Sequence, residues 1–366
     1  HGKLVIMKRN LLLISIFLAL SVLLSACGGT AVASSWPGVS VVGDTAYLAF
    51  NASVYAINTQ NGQELWRFPS EAIKGAAFYA APAIAEDGSL VVSGYNKVLY
   101  GLSATGQQTW SFEEGKNPYV ASVLVTDERI YAPNGNGALY ALDRNGQKVW
   151  EFKSKHSLWA QPVLKGDCLL VAALDHYLYC LDPQSGEELW KTEDLGGGIV
   201  DAPTVGEDDV IYLGTLANTL VSIHGNTGEV INVFKAGGWV WSSPLVYEGD
   251  LYFGDLNGNF YSIDAATFEQ NWAIQPEATV KKRQILGRPL VVDGVLYFGS
   301  ETGSLFSVDP ASGKTLSTRT VDGKLYAGLV AAGDLILAAP SDGASPLVAM
   351  DANGTIQWSF TPVAKK

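Results

Sequence analysis

One short phrase is repeated along the chain, and it limits the possible folds more than any other feature. The stretch YAINTQNGQELW at 55–66 returns as YGLSATGQQTW, YALDRNGQKVW, YCLDPQSGEELW and YSIDAATFEQNW, which start at 100, 140, 179 and 261. Alignment on the turn glycine gives eight copies, with a phenylalanine in one of them: Gly62, Gly106, Gly146, Gly186, Gly228, Phe268, Gly313 and Gly354. A period near 40 residues is typical of a solenoid or a propeller.

Every copy contains strands and no helix. The segment 288–320 divides into PLVV, VLYFGS, SLFSVD and KTLSTR, separated by turns at Asp293-Gly294, Thr302-Gly303 and PASG. Short β-branched and aromatic runs with this punctuation predict four antiparallel strands per copy. One such sheet cannot bury both of its faces, whereas a ring of sheets can. The sequence therefore predicts an all-β, eight-bladed propeller over 36–363 that closes by packing the last blade on the first, without a swapped strand.

The repeated glycine and tryptophan have structural roles in this interpretation. The glycine supplies a positive φ in the turn between the third and fourth strands. Four residues later a tryptophan opens the outermost strand and can lie flat between two blades, at Trp66, Trp110, Trp150, Trp190, Trp272 and Trp358. Asn232 and Ser317 occupy this position in the other two copies, where we expect looser blade boundaries.

The N-terminal segment has the pattern of a secretory signal. MKRN at 7–10 is basic, 11–24 is apolar, and SACGG at 25–29 provides small residues for cleavage. The stretch Leu24-Ser25-Ala26-Cys27 resembles the lipobox of bacterial lipoproteins, with a plain signal peptide as the alternative. The resemblance implies a signal peptide at 1–26, lipidation of Cys27, and a flexible tether over 27–35. It places the protein outside the cytoplasm, held on a membrane by the lipid anchor alone.

The charge balance excludes one class of partner. The 366-residue chain has 36 acidic and 24 basic residues, a formal charge of −12 that becomes −15 without residues 1–26. Such an acidic surface repels phosphate backbones, so nucleic acid is excluded as a partner. The basic run Lys281-Lys282-Arg283 is interpreted as a solvated loop.

Two cysteines fall on neighbouring predicted strands. A turn near Asp175-His176 places Cys168 opposite Pro183 and Cys180 opposite Val171, with the two thiols offset and on different faces. A disulfide needs Cα atoms within about 7 Å and converging side chains. This register therefore predicts two buried free thiols.

The repeat resembles that of a known family. The pattern Y-x-[ILV]-[DN]-x-x-x-G-x-x-x-W is similar to the repeat of the quinoprotein-type (PQQ-like) β-propellers, and the resemblance covers 36–363. A lipobox followed by eight blades is similar to the lipoprotein propeller of the outer-membrane β-barrel assembly machinery. The resemblance implies a monomeric propeller with an envelope protein or peptide as its partner. The motif is specific for the fold and not for an activity.

Candidate binding residues cluster where the chain enters the innermost strands. Aromatic residues precede a proline-like position by three in YAAPAI, YVASVL, WAQPVL and WSSPLV, giving Tyr79, Tyr119, Trp159 and Trp241. Just beside the proline lie the polar residues Gln161, Asp201 and Arg288. Together these residues predict an aromatic funnel for a small ligand or an extended peptide. The alternative is that they only cap the core at one face.

The sequence does not assemble a catalytic site. A quinoprotein dehydrogenase needs a slot for PQQ and a Ca²⁺ held by oxygen ligands, and known enzymes of that kind carry an adjacent Cys-Cys pair that this chain lacks. The phrase DLNGN at 255–259 fits a hairpin turn better than a calcium loop. The histidines His1, His156, His176 and His224 are scattered and have no zinc-ligand spacing.

These observations predict a binding protein without a metal, a cofactor or catalytic residues. It is expected to act as an interaction scaffold, with envelope protein assembly as the pathway that the resemblance implies. A small-molecule or glycan receptor that uses the funnel and a relative of the quinoprotein dehydrogenases remain as alternatives.

Overall fold

A computed structural model describes residues 36–363, and every regular element in that range is a β-strand. The strands form eight antiparallel sheets of four, each built from four consecutive strands of the chain. The predicted all-β, eight-bladed propeller is confirmed. None of the described residues forms a helix long and apolar enough to cross a membrane.

The first four blades contain strands β1 to β16. Blade 1 comprises β1 (Gly38–Val42), β2 (Thr45–Phe50), β3 (Ser53–Asn58) and β4 (Glu64–Phe68). Blade 2 comprises β5 (Ala83–Ile84), β6 (Leu90–Ser93), β7 (Leu99–Leu102) and β8 (Gln108–Phe112). Blade 3 comprises β9 (Leu124–Val125), β10 (Ile130–Pro133), β11 (Ala138–Leu142) and β12 (Lys148–Lys153). Blade 4 comprises β13 (Val163–Lys165), β14 (Cys168–Ala172), β15 (Leu178–Leu181) and β16 (Glu188–Lys191).

The last four blades contain strands β17 to β32. Blade 5 comprises β17 (Thr204–Val205), β18 (Val210–Thr215), β19 (Thr219–His224) and β20 (Val230–Lys235). Blade 6 comprises β21 (Leu245–Tyr247), β22 (Asp250–Gly254), β23 (Phe260–Asp264) and β24 (Gln270–Ile274). Blade 7 comprises β25 (Leu290–Val292), β26 (Val295–Gly299), β27 (Ser304–Val308) and β28 (Thr315–Thr320). Blade 8 comprises β29 (Val330–Ala332), β30 (Leu335–Ala338), β31 (Leu347–Met350) and β32 (Ile356–Phe360).

The burial of the strands follows their position in the blade. The second and third strands are buried on both faces, as in β14 and β15, because neighbouring blades cover them. The fourth strand alternates between half-buried and exposed positions, as in β20, because its edge lies at the outer rim. A register shift interrupts the pairing of the third and fourth strands in every blade. Such a bulge accompanies the positive-φ turn residue that joins these strands.

The repeated tryptophan packs on the repeated glycine of the following blade. Trp110 in blade 2 lies against Gly146 in blade 3, where an added Cβ would come within 2.5 Å of the indole. The same contact joins Trp66 to Gly106, Trp150 to Gly186, Trp190 to Gly228, Trp272 to Gly313, and Trp358 to Gly62. Several of these indoles also donate a hydrogen bond from Nε1 to the adjacent turn, as Trp272 does to the carbonyl of Pro310 at 2.9 Å. Each of the six tryptophans thus contacts the turn glycine of a neighbouring blade.

The two boundaries without tryptophan, where looser packing is expected, are occupied by other side chains. Opposite Asn232 the turn residue is Phe268, which is buried and stacks on Tyr212 with ring centroids 6.3 Å apart. Next to Ser317, the aliphatic part of Arg319 covers Gly354. The Nε of Arg319 donates to the carbonyl of Asn353 at 3.1 Å, as an indole does elsewhere.

Packing of blade 8 on blade 1 closes the ring, as predicted. One core cluster combines Leu48 and Ile57 of blade 1 with Leu337 and Ala349 of blade 8. Trp358 completes this boundary, since its Nε1 donates to the carbonyl of Thr59 at 2.8 Å. Strand β1 pairs only with β2, so no described residue adds a strand to the edge of blade 8.

The structure joins Cys168 and Cys180 in a disulfide, so the prediction of two free thiols is wrong. Cys180 lies opposite Leu170 and not opposite Val171, because the turn contains an odd number of residues between Ala172 and Leu178. This one-residue slip moves both sulfurs to the same face of the sheet. The two Cα atoms are 5.4 Å apart, within the range that a disulfide requires.

Candidate functional site

The blades present two different surfaces. One, the connector face, carries the segments that link one blade to the next together with the turns between second and third strands. The other, the turn face, carries the turns between first and second strands and between third and fourth strands. Hydrogen bonds tie the two kinds of connector-face segment together: Asn117 N–H donates to Asn134 Oδ1 at 3.2 Å, and Lys155 N–H donates to Asp175 Oδ2 at 2.9 Å.

Aromatic rings meet where the connector segments converge on the channel. Trp241, which precedes blade 6, contacts Trp36, which precedes blade 1, with ring centroids 5.4 Å apart. Trp36 also lies 5.4 Å from Tyr326, which precedes blade 8. The side chain of Trp36 therefore bridges blades that are not neighbours in the chain.

Trp36 and Tyr326 are not among the site residues predicted from the sequence. Both lie just before the innermost strand of a blade, in WPGV at 36–39 and YAGL at 326–329. The proline-like position holds Val39 and Leu329 in these two copies, which hid the correspondence. Alignment on the aromatic residue alone would have found them.

The polar candidates Asp201 and Arg288 form an ion pair at this mouth. Arg288 Nη2 lies 3.2 Å from Asp201 Oδ2 and donates to the carbonyl of Ala202 at 2.8 Å. The backbone N–H of Ser243 donates to the same carboxylate oxygen at 2.9 Å. These contacts join the segments that precede blades 5, 6 and 7. Of the predicted funnel residues, Asp201 and Arg288 are thus in direct contact, and the segment that contains Trp241 meets them through Ser243.

The other four candidates have different surroundings. Tyr79 and Tyr119 are buried, and Tyr119 packs with Phe112 and Tyr140 in the core between blades 2 and 3. Burial raises the pKa of the Tyr119 phenol well above its usual range. Trp159 is exposed, with 38% of its surface accessible. Gln161 spans two blades, because its Nε2 donates to the carbonyl of Val123 at 3.0 Å.

The DLNGN phrase forms a hydrogen-bonded turn. Both oxygens of the buried Asp255 carboxylate accept bonds, Oδ1 from the N–H groups of Asn257 and Asn259 and Oδ2 from the Asn259 amide and the Tyr261 hydroxyl. This carboxylate therefore organises the turn between β22 and β23. Among residues 36–363, no three His, Cys, Asp or Glu side chains come together in a way that could hold a metal ion.

Two clefts on the turn face were not predicted. Arg144 separates a cleft of about 350 Å³, lined by Asp87, Ser89 and Trp110, from one of about 260 Å³ beside Thr126. The larger cleft exists because Val91 is short, whereas in blade 3 the corresponding Tyr131 reaches the next turn and donates to the carbonyl of Pro183 at 3.0 Å. Arg144 holds the neighbouring turns by donating to Thr126 O at 2.8 Å and Ser89 Oγ at 3.2 Å.

Known sequences match this chain over different extents. The model of the family described as outer membrane protein assembly factor BamB matches 50–173, 174–289 and 277–365. The BamB protein of Legionella pneumophila (strain Paris) is 25% identical over 122 residues, which is 31% of each chain. That of Burkholderia pseudomallei (strain K96243) is 28% identical over 122 residues, 32% of this chain and 30% of its own length. These matches span about a third of each curated relative.

Solved structures share the fold. BamB from Moraxella catarrhalis superposes with a TM-score of 0.73 at 19% identity, covering 85% of this chain and 94% of its own. A europium-containing methanol dehydrogenase gives a TM-score of 0.69 at 13% identity, covering 84% and 82%. At these sequence identities, the structural similarity shows only that the proteins share the propeller fold. The family model, by contrast, matches the sequence through most of its length, and the chain belongs to the family described as outer membrane protein assembly factor BamB.

Proposed function

We propose that this protein is a lipid-anchored, extracytoplasmic propeller that binds protein partners during outer-membrane protein assembly. The observation that carries the proposal is the family match, which runs through 50–365 and thus includes residues of every blade. The curated relatives in Legionella pneumophila and Burkholderia pseudomallei are named as assembly factors for outer membrane proteins. The protein acts in this proposal as a monomeric scaffold and not as an enzyme.

The geometry of the channel mouth supports a scaffold more than a receptor. Trp36 contacts both Trp241 and Tyr326 there, and the Asp201–Arg288 pair joins further connector segments. A small-molecule site is usually a concave chamber lined by side chains that are free to contact the ligand. At this mouth the side chains of the protein contact one another. This arrangement favours a protein partner that binds the surface loops over a small ligand that binds inside the channel.

The partner is tested by a mild crosslink on native membranes, followed by affinity purification and mass spectrometry. We expect a β-barrel or envelope-assembly protein to be enriched over an unrelated tagged lipoprotein that is processed in parallel. A purified protein that retains a small molecule and no protein partner would contradict the scaffold and favour the receptor. In that case Trp159→Ala and Trp241→Ala should weaken ligand binding.

The anchor is tested separately at Cys27, which lies outside the described residues. A single acyl anchor site accounts for membrane attachment in this proposal, so Cys27→Ser should move the protein from the membrane fraction to the soluble fraction. Ser34→Ala, in the tether, is the matched control and should stay with the membrane. Mass spectrometry of the N-terminal peptide should show the added lipid in the unmutated protein, and an unmodified Cys27 would contradict the anchor.

A further inference from the structure

We propose that the larger cleft on the turn face, at the boundary of blades 2 and 3, binds a tyrosine side chain from a basic segment of a partner protein. This inference rests on the proposed scaffold function and adds a second binding region, on the face that does not carry the channel mouth. Three observations support it: the lining of the cleft, the way in which other blades fill the same space, and the charge of the rim.

The cleft combines apolar and polar lining residues. Leu90, Val91 and Ile130 are buried and line it together with the half-buried Trp110, whereas Asp87 is exposed at its edge. An aromatic ring with a polar tip suits such a lining, because the ring leaves water while the tip keeps its hydrogen bonds. The cleft measures about 350 Å³. A cavity of about 150 Å³ already accepts a benzene ring, so the space is sufficient for a phenol.

Val91 leaves this space open. The same position of the second strand holds tyrosine in five blades, leucine in two and valine in blade 2. The five tyrosines are Tyr47, Tyr131, Tyr212, Tyr252 and Tyr297. The residue that pairs with Val91 on the third strand is Gly101, where the other blades have alanine, serine or cysteine. Blade 2 therefore has the smallest side chains at this place.

The tyrosines of other blades show how an aromatic ring fits there. Tyr47, Tyr131 and Tyr252 pack beside the tryptophan of their own blade, with ring centroids 5.9, 5.8 and 6.0 Å apart. The hydroxyls of Tyr131 and Tyr252 donate to a turn carbonyl of the next blade, at 3.0 and 3.3 Å. At blade 2 the corresponding groups are the Trp110 indole and the carbonyl of Arg144, which has the turn position of those acceptor residues. A tyrosine from another protein can therefore make the contacts that Val91 does not make.

The rim favours a basic partner. Glu86, Asp87 and Asp127 are exposed around the two clefts, and Arg144 is the cation among the described residues that line them. Arg144 is partly neutralised, since its Nη2 lies 3.6 Å from Asp87 Oδ1. Hydrogen bonds from the Ser89 hydroxyl and N–H hold the pKa of the Asp87 carboxyl below its usual value, so it stays ionised at neutral pH.

The rest of the turn face has the same sign. Its segments between strands contain 19 acidic and three basic residues within 36–363. A field of this sign attracts a segment that carries Lys or Arg beside its aromatic residue and repels an acidic one. The expected occupant is therefore basic as well as aromatic.

A peptide titration of the full-length protein in detergent micelles tests the proposal. The ligand is a blocked peptide, Gly-Lys-Tyr-Lys-Gly, and fluorine NMR of fluorotryptophan-labelled protein is the measurement. We expect the Trp110 signal to shift and saturate, while the Trp150 signal stays in place because Tyr131 already fills that boundary. The peptide with alanine in place of tyrosine should bind at least about tenfold more weakly. A Trp110 signal that does not move, or moves equally with the alanine peptide, would overturn the proposal.

Val91→Tyr supplies the missing ring from the protein itself. The new side chain should occupy the cleft, so the tyrosine peptide should bind at least about tenfold more weakly. The unfolding midpoint should stay at or above that of the parent. Val233→Tyr makes the same change at a position of blade 5 that is 54% exposed, and it should bind like the parent. Undiminished binding to a folded Val91→Tyr variant would place the peptide elsewhere and contradict the cleft.

A second pair of variants leaves the packing of the cleft unchanged. Glu86→Gln with Asp127→Asn removes two exposed carboxylates from the rim, and each loss should weaken binding of the lysine peptide about two- to fivefold at low salt. Asp167→Asn with Asp334→Asn removes two exposed carboxylates from the turn face of blades 4 and 8, and it should leave the affinity unchanged. Equal losses in both pairs would mean that only the overall charge matters, which would overturn the site.

The crosslinking experiment on native membranes separates this inference from the scaffold proposal. A partner captured equally by the parent and by Val91→Tyr, together with a peptide that does not bind, would leave the scaffold standing and remove the cleft. Peptide binding at Trp110 without a captured protein would support the cleft and contradict the scaffold. Self-association that Val91→Tyr abolishes would identify a second copy of this chain as the occupant and overturn the assignment to a different protein.

Discussion

At the scale of single residues, the blade boundary depends on a pairing between a large and a minimal side chain. Gly146 has φ of 80°, a conformation that L side chains rarely adopt, and it also gives the Trp110 indole room to lie flat. Substitution of this glycine therefore has two separate costs, one in the backbone and one in packing. Gly166 has φ of 55° with no atom within 4 Å of an added Cβ, so it carries only the first.

We expect Gly146→Ala to destabilise the protein clearly more than Gly166→Ala. The left-handed backbone costs about 1–2 kcal/mol in both variants. Overpacking against Trp110 adds about 1–3 kcal/mol in the first alone. Denaturant titrations that follow tryptophan fluorescence measure the difference. Equal losses of stability would mean that the indole moves aside without cost.

At the scale of the blade boundary, different residue pairs fill the same space. The common solution places tryptophan on one blade and glycine on the next. The boundary between blades 5 and 6 reverses it, with Asn232 on the first blade and Phe268 on the second. The ring comes from the opposite side, and the volume is still filled. Filling of the space at a boundary therefore depends on the pair of residues and not on either position alone.

A double-mutant cycle tests this exchange. Phe268→Gly alone should cost about 3 kcal/mol, because it leaves a cavity beside Tyr212. Asn232→Trp alone should cost about 1–3 kcal/mol, because Phe268 occupies the space. The double variant recreates the common pair and should be more stable than the sum of the two losses by at least about 2 kcal/mol. Phe268→Gly combined with Ser317→Trp, at another boundary, is the control and should be additive.

Within blade 4, the disulfide adds a covalent link between strands that already pair. Cys168 and Cys180 lie 12 residues apart, on β14 and β15. A loop of this length contributes about 3 kcal/mol through the entropy of the unfolded chain. Reduction, or Cys168→Ala with Cys180→Ala, should lower the unfolding midpoint accordingly. Alkylation of both thiols in native, unreduced protein would contradict the disulfide.

At the scale of the whole molecule, seven blade boundaries are spanned by a connector segment and the eighth is not. The boundary between blades 8 and 1 depends on side-chain packing, to which Trp358 contributes its indole ring and its bond to Thr59. Loss of this contact frees two ends of the ring, whereas loss of an equivalent contact elsewhere leaves the blades joined by the chain. The stability of the ring should therefore be most sensitive to substitutions at the boundary between blades 8 and 1.

We expect Trp358→Ala to promote opening of the ring more than Trp272→Ala does. The two indoles are closely matched, since each packs on a turn glycine and donates to a turn carbonyl, at 2.8 Å for Trp358 and 2.9 Å for Trp272. Both variants lose about 3–5 kcal/mol of packing. Hydrogen exchange should show faster local opening of blades 1 and 8 only in Trp358→Ala. Uniform exchange in both variants would mean that the closure is as strong as a covalently linked boundary.

Local signals account for what the sequence predicts correctly. Hairpin glycines, strand-forming runs and the repeated tryptophan act over a few residues, so they define the strands, the number of blades and the aromatic residue at six of the eight boundaries. The register around Cys168 and Cys180 was predicted wrongly because the length of a single turn decides it, and a shift of one residue reverses the face of every side chain.

The sequence by itself determined that this chain forms eight similar four-stranded sheets, which residues 36–363 close into a ring without a shared strand. Only the tertiary structure decided what lies at the channel mouth. Asp201 and Arg288 are 87 residues apart, and Trp36 meets Trp241 across blades that are not neighbours in the chain. No local propensity relates such residues. Their contact follows from the curvature of the closed ring, which brings the innermost segments of distant blades together.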